Sequence, residues 1–251
     1  MRFKGKNALI TGASSGIGYA TAVLMADEGG DIAFTYNRNE VGAKKLKEEI
    51  EKKGRKAIPY RVNFTEDEQI EMLSANVEKD LGPVDILVNN AGGLVERMPF
   101  FEISKSRWNE IMALNVWSLV LLSQRIGIKM KERGGGVIVN NASVAGRSGG
   151  GPGAMAYGVA KGAVITLTQA MGKELIAVGI RVNALAPGLI DTPFHDQFTP
   201  QDVMQGMLSR VPIKRVGTAE EMAKVILFLA SDDSSYLVGA TVDANGGMWV
   251  I

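Results

Sequence analysis

Asn7-Ala8-Leu9-Ile10-Thr11-Gly12-Ala13-Ser14-Ser15-Gly16-Ile17-Gly18 is the stretch whose reading decides the fold. Asn7–Ile10 reads as a strand, and a helical pattern runs from Gly16 to Asp27. A Gly-rich turn between strand and helix points free backbone N–H groups, and the positive end of the helix dipole, at an anion. Gly12 permits the turn, Gly16 permits close approach of a phosphate, and Gly18 permits tight helix–sheet packing. Ser14, Ser15 and Ile17 supply the neighbouring N–H groups. An ordinary βα turn fits the same residues. So does the G-x-S-x-G of a hydrolase nucleophile elbow, read as Gly12-Ala13-Ser14-Ser15-Gly16. A hydrolase would need a histidine after an acid, and His195 following Asp191 is the single option. Its elbow would also sit on the first strand, where hydrolases place several strands earlier.

Outward from this turn, short apolar runs alternate with amphipathic segments. Strands are expected at Ile32–Thr35, Ala57–Arg61, Asp85–Val88, Gly136–Asn140, Arg181–Ala186 and Ala240–Asp243. Helices are expected at Glu40–Lys53, Thr65–Asp80, Ser106–Lys131 and Tyr157–Ala177, with another ending near Ala230. Thr65 with Glu68, and Thr218 with Glu221, have capping-box spacing. Strands separated by helices of crossover length make a parallel sheet covered on both faces. The prediction is an α/β chain with a Rossmann-type, doubly wound sheet of about seven strands, residues 1–251 forming one domain. Residues 187–210 show no place in the sheet, and a loop that long is a candidate substrate lid.

Composition narrows the function. The chain has 251 residues, 46% of them hydrophobic, enough for one sizeable core. Lys and Arg number 28 against 27 Asp and Glu, so no global basic footprint for nucleic acid exists. Cysteine is absent and His195 is the sole histidine. Disulfides, thiol catalysis and multi-His or Cys-based metal sites are thereby excluded. No signal-like apolar segment follows the N-terminus, and the longest apolar stretch, Val116–Ile128, is interrupted by polar residues. A cytoplasmic protein with no membrane or metal is expected.

Tyr157 and Lys161 lie one helical turn apart and share a helix face. A nearby ammonium favours the phenolate and is expected to lower the tyrosine pKa from about 10, making it a usable acid or base. A bare Y-x-x-x-K is more often a chance pair on a solvated helix. Ser143 strengthens the case, because it follows Val137-Ile138-Val139 and so sits at the strand end that faces the ligand crevice.

Six motifs in register carry a resemblance over essentially the whole chain. They are Thr11-Gly12-x-x-x-Gly16-x-Gly18, Asn89-Asn90-Ala91-Gly92, Asn115, Ser143, Tyr157-x-x-x-Lys161 and Pro187-Gly188. Together they resemble the classical short-chain dehydrogenase/reductases. The resemblance implies an NAD(P)-dependent oxidoreductase interconverting a carbonyl and a secondary alcohol. It implies Tyr157 as general acid, Lys161 lowering its pKa and binding the nicotinamide ribose, Ser143 on the substrate carbonyl, and Asn115 holding a relay water. Asn90, Ala91 and Gly92 would line the adenosine ribose, and Pro187, Gly188, Ile190 and Thr192 the nicotinamide end. At the third strand the usual Asp is replaced by Asn63, beside Phe64, and the Asn63 carbonyl is expected to meet the adenine amine. A silent dinucleotide-binding regulator would keep the glycines but tends to lose Tyr or Lys, and both are present.

After the second strand, Tyr36-Asn37-Arg38 offers no acid until Glu40. An acid there would hold the ribose 2′-hydroxyl of NAD, whereas Arg38 and Asn37 suit the 2′-phosphate of NADP, although a solvated Arg38 fits as well. NADP(H) preference follows, with NAD(H) possible. Three loop stretches look like reductases of keto sugars and keto-uronates, which makes Arg97, Arg147 and His195 candidate substrate contacts. Each also reads as a solvated loop residue. The competing subgroup is the 3-oxoacyl-carrier-protein reductases, for which Lys129, Lys131 and Arg133 are a candidate docking patch, although Val178 stands where those enzymes often have Arg. A homotetramer is expected from the resemblance and from the apolar tail ending at Ile251.

Overall fold

The computed structural model describes residues 1–193 and 201–250. In chain order the first elements are β1 (Asn7–Ile10), α1 (Gly16–Asp27), β2 (Asp31–Tyr36), α2 (Glu40–Lys52), β3 (Ala57–Arg61), α3 (Asp67–Leu81) and β4 (Ile86–Asn89). There follow α4 (Lys105–Met112), α5 (Ser118–Glu132), β5 (Gly136–Asn141), α6 (Ala145–Ser148), α7 (Met155–Leu175), β6 (Ile180–Pro187), β7 (Ile190–Asp191), β8 (Gly217–Thr218) and β9 (Thr241–Ala244). Seven strands form one sheet in the order β3-β2-β1-β4-β5-β6-β9. Every pairing in it is parallel. The order reverses between β1 and β4, and ligands bind such sheets at the carboxyl ends of the strands beside that point.

The two-residue period of a strand explains why helices cover both faces. Ala8 and Ile10 of β1 point into the core layer shared with α1, Phe34 and Ile226. Leu9 between them points into the opposite layer with Leu87, Ile126 and Val182. The capping box at Thr218 is present: Glu221 N–H donates to Thr218 Oγ1 at 3.1 Å and Thr218 N–H to Glu221 Oε2 at 2.8 Å.

Three local expectations are corrected. The helix read as Ser106–Lys131 is α4 and α5 joined by a π turn at Ala113–Trp117, where Ser118 N–H reaches back to Ala113 O. Its cause is Asn115, whose Nδ2 donates into the ladder at Ile111 O, 2.9 Å away. The helix after β3 starts at Asp67 rather than Thr65. Thr65 does not cap it, because its N–H and hydroxyl both turn to Asn63 Oδ1, at 3.2 and 2.9 Å. The stretch read as a loop at 187–210 is only partly one among its described residues: β7 pairs with β8 apart from the seven-stranded sheet, in which no place was expected for it, and Gln201–Ser209 is a helix. His195 lies outside the described residues.

By length and composition the Lys105–Glu132 helix is apolar enough to cross a membrane, yet half of its most apolar stretch is packed inside this fold. Trp108 packs against Ile111, Ala156 and Ala160, whereas Trp117 is half-exposed and donates its Nε1–H to Asp67. At the C-terminus Asn245 is buried and bonds Trp249 O, while Trp249 and Val250 stay exposed.

Candidate active site

A cavity of about 720 Å³ opens at the carboxyl ends of the strands and runs from Arg38 to Met207. Its floor is the Gly-rich turn. Gly12 and Gly16 both have positive φ, 64° and 58°, which a side chain would resist. The turn is braced from outside: Gly12 N–H donates to Thr35 Oγ1 at 3.0 Å and Ala13 N–H to Thr35 O at 2.9 Å. Thr11 Oγ1 accepts from the N–H groups of Asn90 and Ala91, and Asn90 Nδ2 returns to Thr11 O and Gly12 O. These bonds weld β1 to β4 where the sheet order reverses. Gly18 does not line the cavity. A Cβ there would stand 2.6 Å from Asn90 Nδ2, so this glycine serves packing.

Ser15 caps α1 without a side-chain bond, and the first turn of that helix carries no acid. Its N–H groups have no intrahelical acceptor and face the cavity beside Ser14, Gly16 and Ile17. This cradle fits a diphosphate. Thr192 lies across from Gly16, whose Cβ would meet it at 3.3 Å, so the cleft between the turn and the Pro187–Thr192 segment is narrow. Asn37, Arg38, Asn63, Phe64, Asn90, Ala91, Gly92, Pro187, Gly188, Ile190 and Thr192 all line the same cavity. Asn63 arrives differently from expectation, since its carbonyl is already engaged by Thr65.

At the far end stand Ser143, Tyr157 and Lys161. Backbone contact between α6 and α7 brings them together: a Cβ on Gly146 would stand 2.6 Å from the Lys161 carbonyl carbon. Ser143 Oγ accepts from Ala145 N–H at 3.1 Å and hydrogen-bonds the Tyr157 phenol. Lys161 is buried and donates to Asn141 O at 2.8 Å, its Nζ 5.8 Å from the Tyr157 ring centre. Burial pushes the phenol up to about 12, with the Ser143 hydrogen bond opposing, and lowers Lys161 to about 8. The expected ammonium-lowered phenol is therefore corrected. Desolvation is the dominant cause here and Lys161 adds nothing to offset it, so the Tyr157 phenol is neutral at pH 7. Asn115 lies beneath, with both Nδ2 hydrogens donated, to Gly93 O and Ile111 O, and its Oδ1 accepting from Gly93 N–H.

Arg97 lines the cavity and donates Nη1–H to Pro152 O at 2.9 Å. Arg147 does not line it. Its guanidinium pairs with Asp243 of β9 at 3.0 and 3.2 Å, so the expected substrate contact is corrected to a brace under the Ser143 segment. The proposed docking patch is also displaced. Lys129 and Arg133 both pair with Glu78, and Arg133 precedes β5 whereas Ser143 follows it, about 20 Å away along the strand. Leu94 and Val95 also stand in the wall, within one of the three loop stretches expected to rim the pocket, whereas sequence reading missed Glu110, Leu114 and Asn141. Asn141 Nδ2 donates to Asn90 Oδ1, while its own Oδ1 is buried without a donor. Ser14, the serine of the elbow pattern, lies in the turn and its carbonyl accepts from Asn39 Nδ2.

A family model described as enoyl-(acyl carrier protein) reductase matches residues 12–249. The chain belongs to the classical short-chain dehydrogenase/reductase family. It is 39% identical to a 3-oxoacyl-[acyl-carrier-protein] reductase of Thermotoga maritima over 99% of both chains. A solved putative NAD(P)-dependent gluconate 5-dehydrogenase from Beutenbergia cavernae, with bound NADP, superposes at a TM-score of 0.91, with 34% identity covering 98% of this chain and 97% of that one. A 7α-hydroxysteroid dehydrogenase complexed with NADH and 7-oxo glycochenodeoxycholic acid gives 0.92, again at 34% identity, over 98% of this chain and 95% of that one. As a short-chain dehydrogenase/reductase the chain is an oxidoreductase acting on carbonyl and alcohol groups with a nicotinamide cofactor. A bound nicotinamide would supply the hydride, which would leave orientation of the reactants and proton traffic to the residues of this family member.

Proposed function

We propose that this oxidoreductase prefers NADP(H) and reduces the ketone of a small polar keto sugar or keto-uronate. Ser143 holds the substrate oxygen and Tyr157 donates the proton, while buried Lys161 keeps a positive charge beside them at neutral pH. The observation that carries the substrate reading is Arg97. It is the arginine on the substrate side of the cavity among the described residues, a half-buried guanidinium suited to a carboxylate. The Gly-rich loop packs on it, since Met98 N–H bonds Gly153 O at 2.9 Å. The NADP preference is supported by Asn37 and Arg38 in the wall, with Glu40, the nearest acid, paired to Lys44 at 2.9 Å. We place the enzyme in the cytoplasm as a homotetramer, a reading supported by the exposed Trp249 and Val250 and checked by light scattering.

A second reading, 3-oxoacyl thioester reduction on an acidic carrier, is favoured by the relative from Thermotoga maritima. Catalytic efficiencies on a keto-uronate and on an acetoacetyl thioester decide between them. The sugar-acid reading expects the keto-uronate to win and Arg97→Ala to erase the advantage. A strong thioester preference, undiminished by Arg97→Ala, sinks it.

A further inference from the structure

Among the described residues, two that carry side chains take positive φ: Val95 at 66° and Lys214 at 60°. Lys214 is unbranched and exposed. Val95 is neither. A β-branched side chain crowds its own backbone in that region, so valine there is a strained outlier. Glu96 N–H donates to Leu94 O at 2.8 Å, which closes a three-residue γ-turn centred on Val95. With positive φ at its centre, the turn is of the rare, strained hand. Both flanks are pinned. Upstream, Gly93 N–H donates to Asn115 Oδ1 at 3.0 Å and Gly93 O accepts from Asn115 Nδ2 at 2.9 Å, and Leu94 is buried. Downstream, Arg97 Nη1 reaches Pro152 O and Met98 N–H reaches Gly153 O, each at 2.9 Å. A glycine at position 95 would follow the same path without strain.

The valine side chain packs on Ile111, Ala156 and Ala160 and lines the cavity. Ala156 adjoins Tyr157 in the chain and Ala160 adjoins Lys161, so Val95 stands at the catalytic end rather than at the Gly-rich turn. Backbone strain concentrates at functional sites, where the surroundings hold it in place. We propose that Val95 is a specificity-determining residue: the strained γ-turn holds its isopropyl group in the cavity, where it limits one substituent of the substrate ketone to a small group. With the turn pinned on both sides and the side chain packed behind, this wall yields little to a larger substituent. It acts on any ketone held by Ser143 and Tyr157, whichever of the two substrate classes above is the natural one.

Two measurements on the wild type, Val95→Gly and Val95→Ile test this. The first is kcat/KM on ethyl acetoacetate and on ethyl isobutyrylacetate, followed by oxidation of the reduced nicotinamide. These esters differ in one group on the ketone, methyl or isopropyl, and Val95→Gly deletes an isopropyl from the wall. Val95→Gly is expected to raise the isobutyryl-to-acetyl ratio by at least about 10-fold, the low end of what a methylene decides in a packed pocket. Val95→Ile keeps the β-branch and adds a methylene, so it should lower the same ratio. The second measurement is Tm at one protein concentration. Truncating an unstrained, packed valine to glycine lowers Tm by roughly 5–10 °C in a chain of this length. Relief of the turn should hold Val95→Gly within about 2 °C of the wild type, or above it. A ratio unmoved in both variants, or no turnover of the isobutyryl ester by Val95→Gly, overturns the role in specificity. A moved ratio with the full loss of Tm overturns the strained turn as its basis.

Discussion

Arg147→Met is expected to strand the Asp243 carboxylate beneath the segment that carries Ser143. The pair is made by two N–H···O contacts at 3.0 and 3.2 Å, and its side chains are only 18% and 15% exposed. Removing one partner of a fully buried pair costs about 3–5 kcal/mol, and an exposed pair contributes under about 1 kcal/mol. This pair lies nearer the buried limit, so a loss of about 2–3 kcal/mol is expected. In a chain of this length each kcal/mol moves Tm by about 2–4 °C, so the variant should melt roughly 5–10 °C lower. Adding Asp243→Leu removes the orphaned charge and should recover most of the loss, because two apolar groups replace a buried pair at little cost. Thermal denaturation followed by circular dichroism, at one protein concentration throughout, reads both effects. A single variant that melts within 1 °C of wild type, or a double variant no better than the single, would refute the reasoning.

Tyr157→Phe keeps the ring and removes the proton donor, so kcat should drop by at least about 10²–10⁴-fold while NADPH still binds; near-normal turnover in a steady-state assay contradicts the role. Lys161 is charged below about 8 and neutral above it, because burial lowers its pKa. NADPH affinity should therefore decline as pH rises through about 8, and Lys161→Met should abolish that limb of a fluorescence titration. Tyr157, raised to about 12, contributes no titration in the same range. Tyr36→Asp with Arg38→Leu should turn the preference toward NADH, as measured by kcat/KM with both cofactors; an unmoved ratio argues against the 2′-phosphate site.

Local pattern carried the sheet, because most strands are short apolar runs closed by a turn and helices such as α2 and α3 are amphipathic. The Gly-rich turn and the Tyr157–Lys161 spacing were legible for the same reason: both are set within one or two turns of chain. What escaped reading depends on partners distant in sequence. Arg147 looked like a free loop cation until Asp243, almost a hundred residues later, neutralised it. Lys129 and Arg133 looked like a docking patch until Glu78 of the adjacent helix met them. The π turn at Asn115 inserts no break in composition, since its cause is the bond that Asn115 Nδ2 makes to the Ile111 carbonyl in the helix ladder. Tyr157 was assigned the wrong direction of shift because charge proximity is visible in a sequence and desolvation is not.

The reversal of strand order has a consequence for how the chain is made. β1 leaves the ribosome early, yet its second neighbour is far downstream, with Ala8 set opposite Ile86. At about 5–20 residues per second, synthesis of the intervening segment takes roughly 4–16 s. During that interval β1, β2 and β3 are able to pair while the other edge of β1, with Ala8, Leu9 and Ile10, lacks β4. An apolar strand edge held open for seconds is a template for pairing with another nascent chain. The edge beside the Gly-rich turn is thus open to such pairing until β4 docks on it, where Thr11 and Asn90 join the two strands.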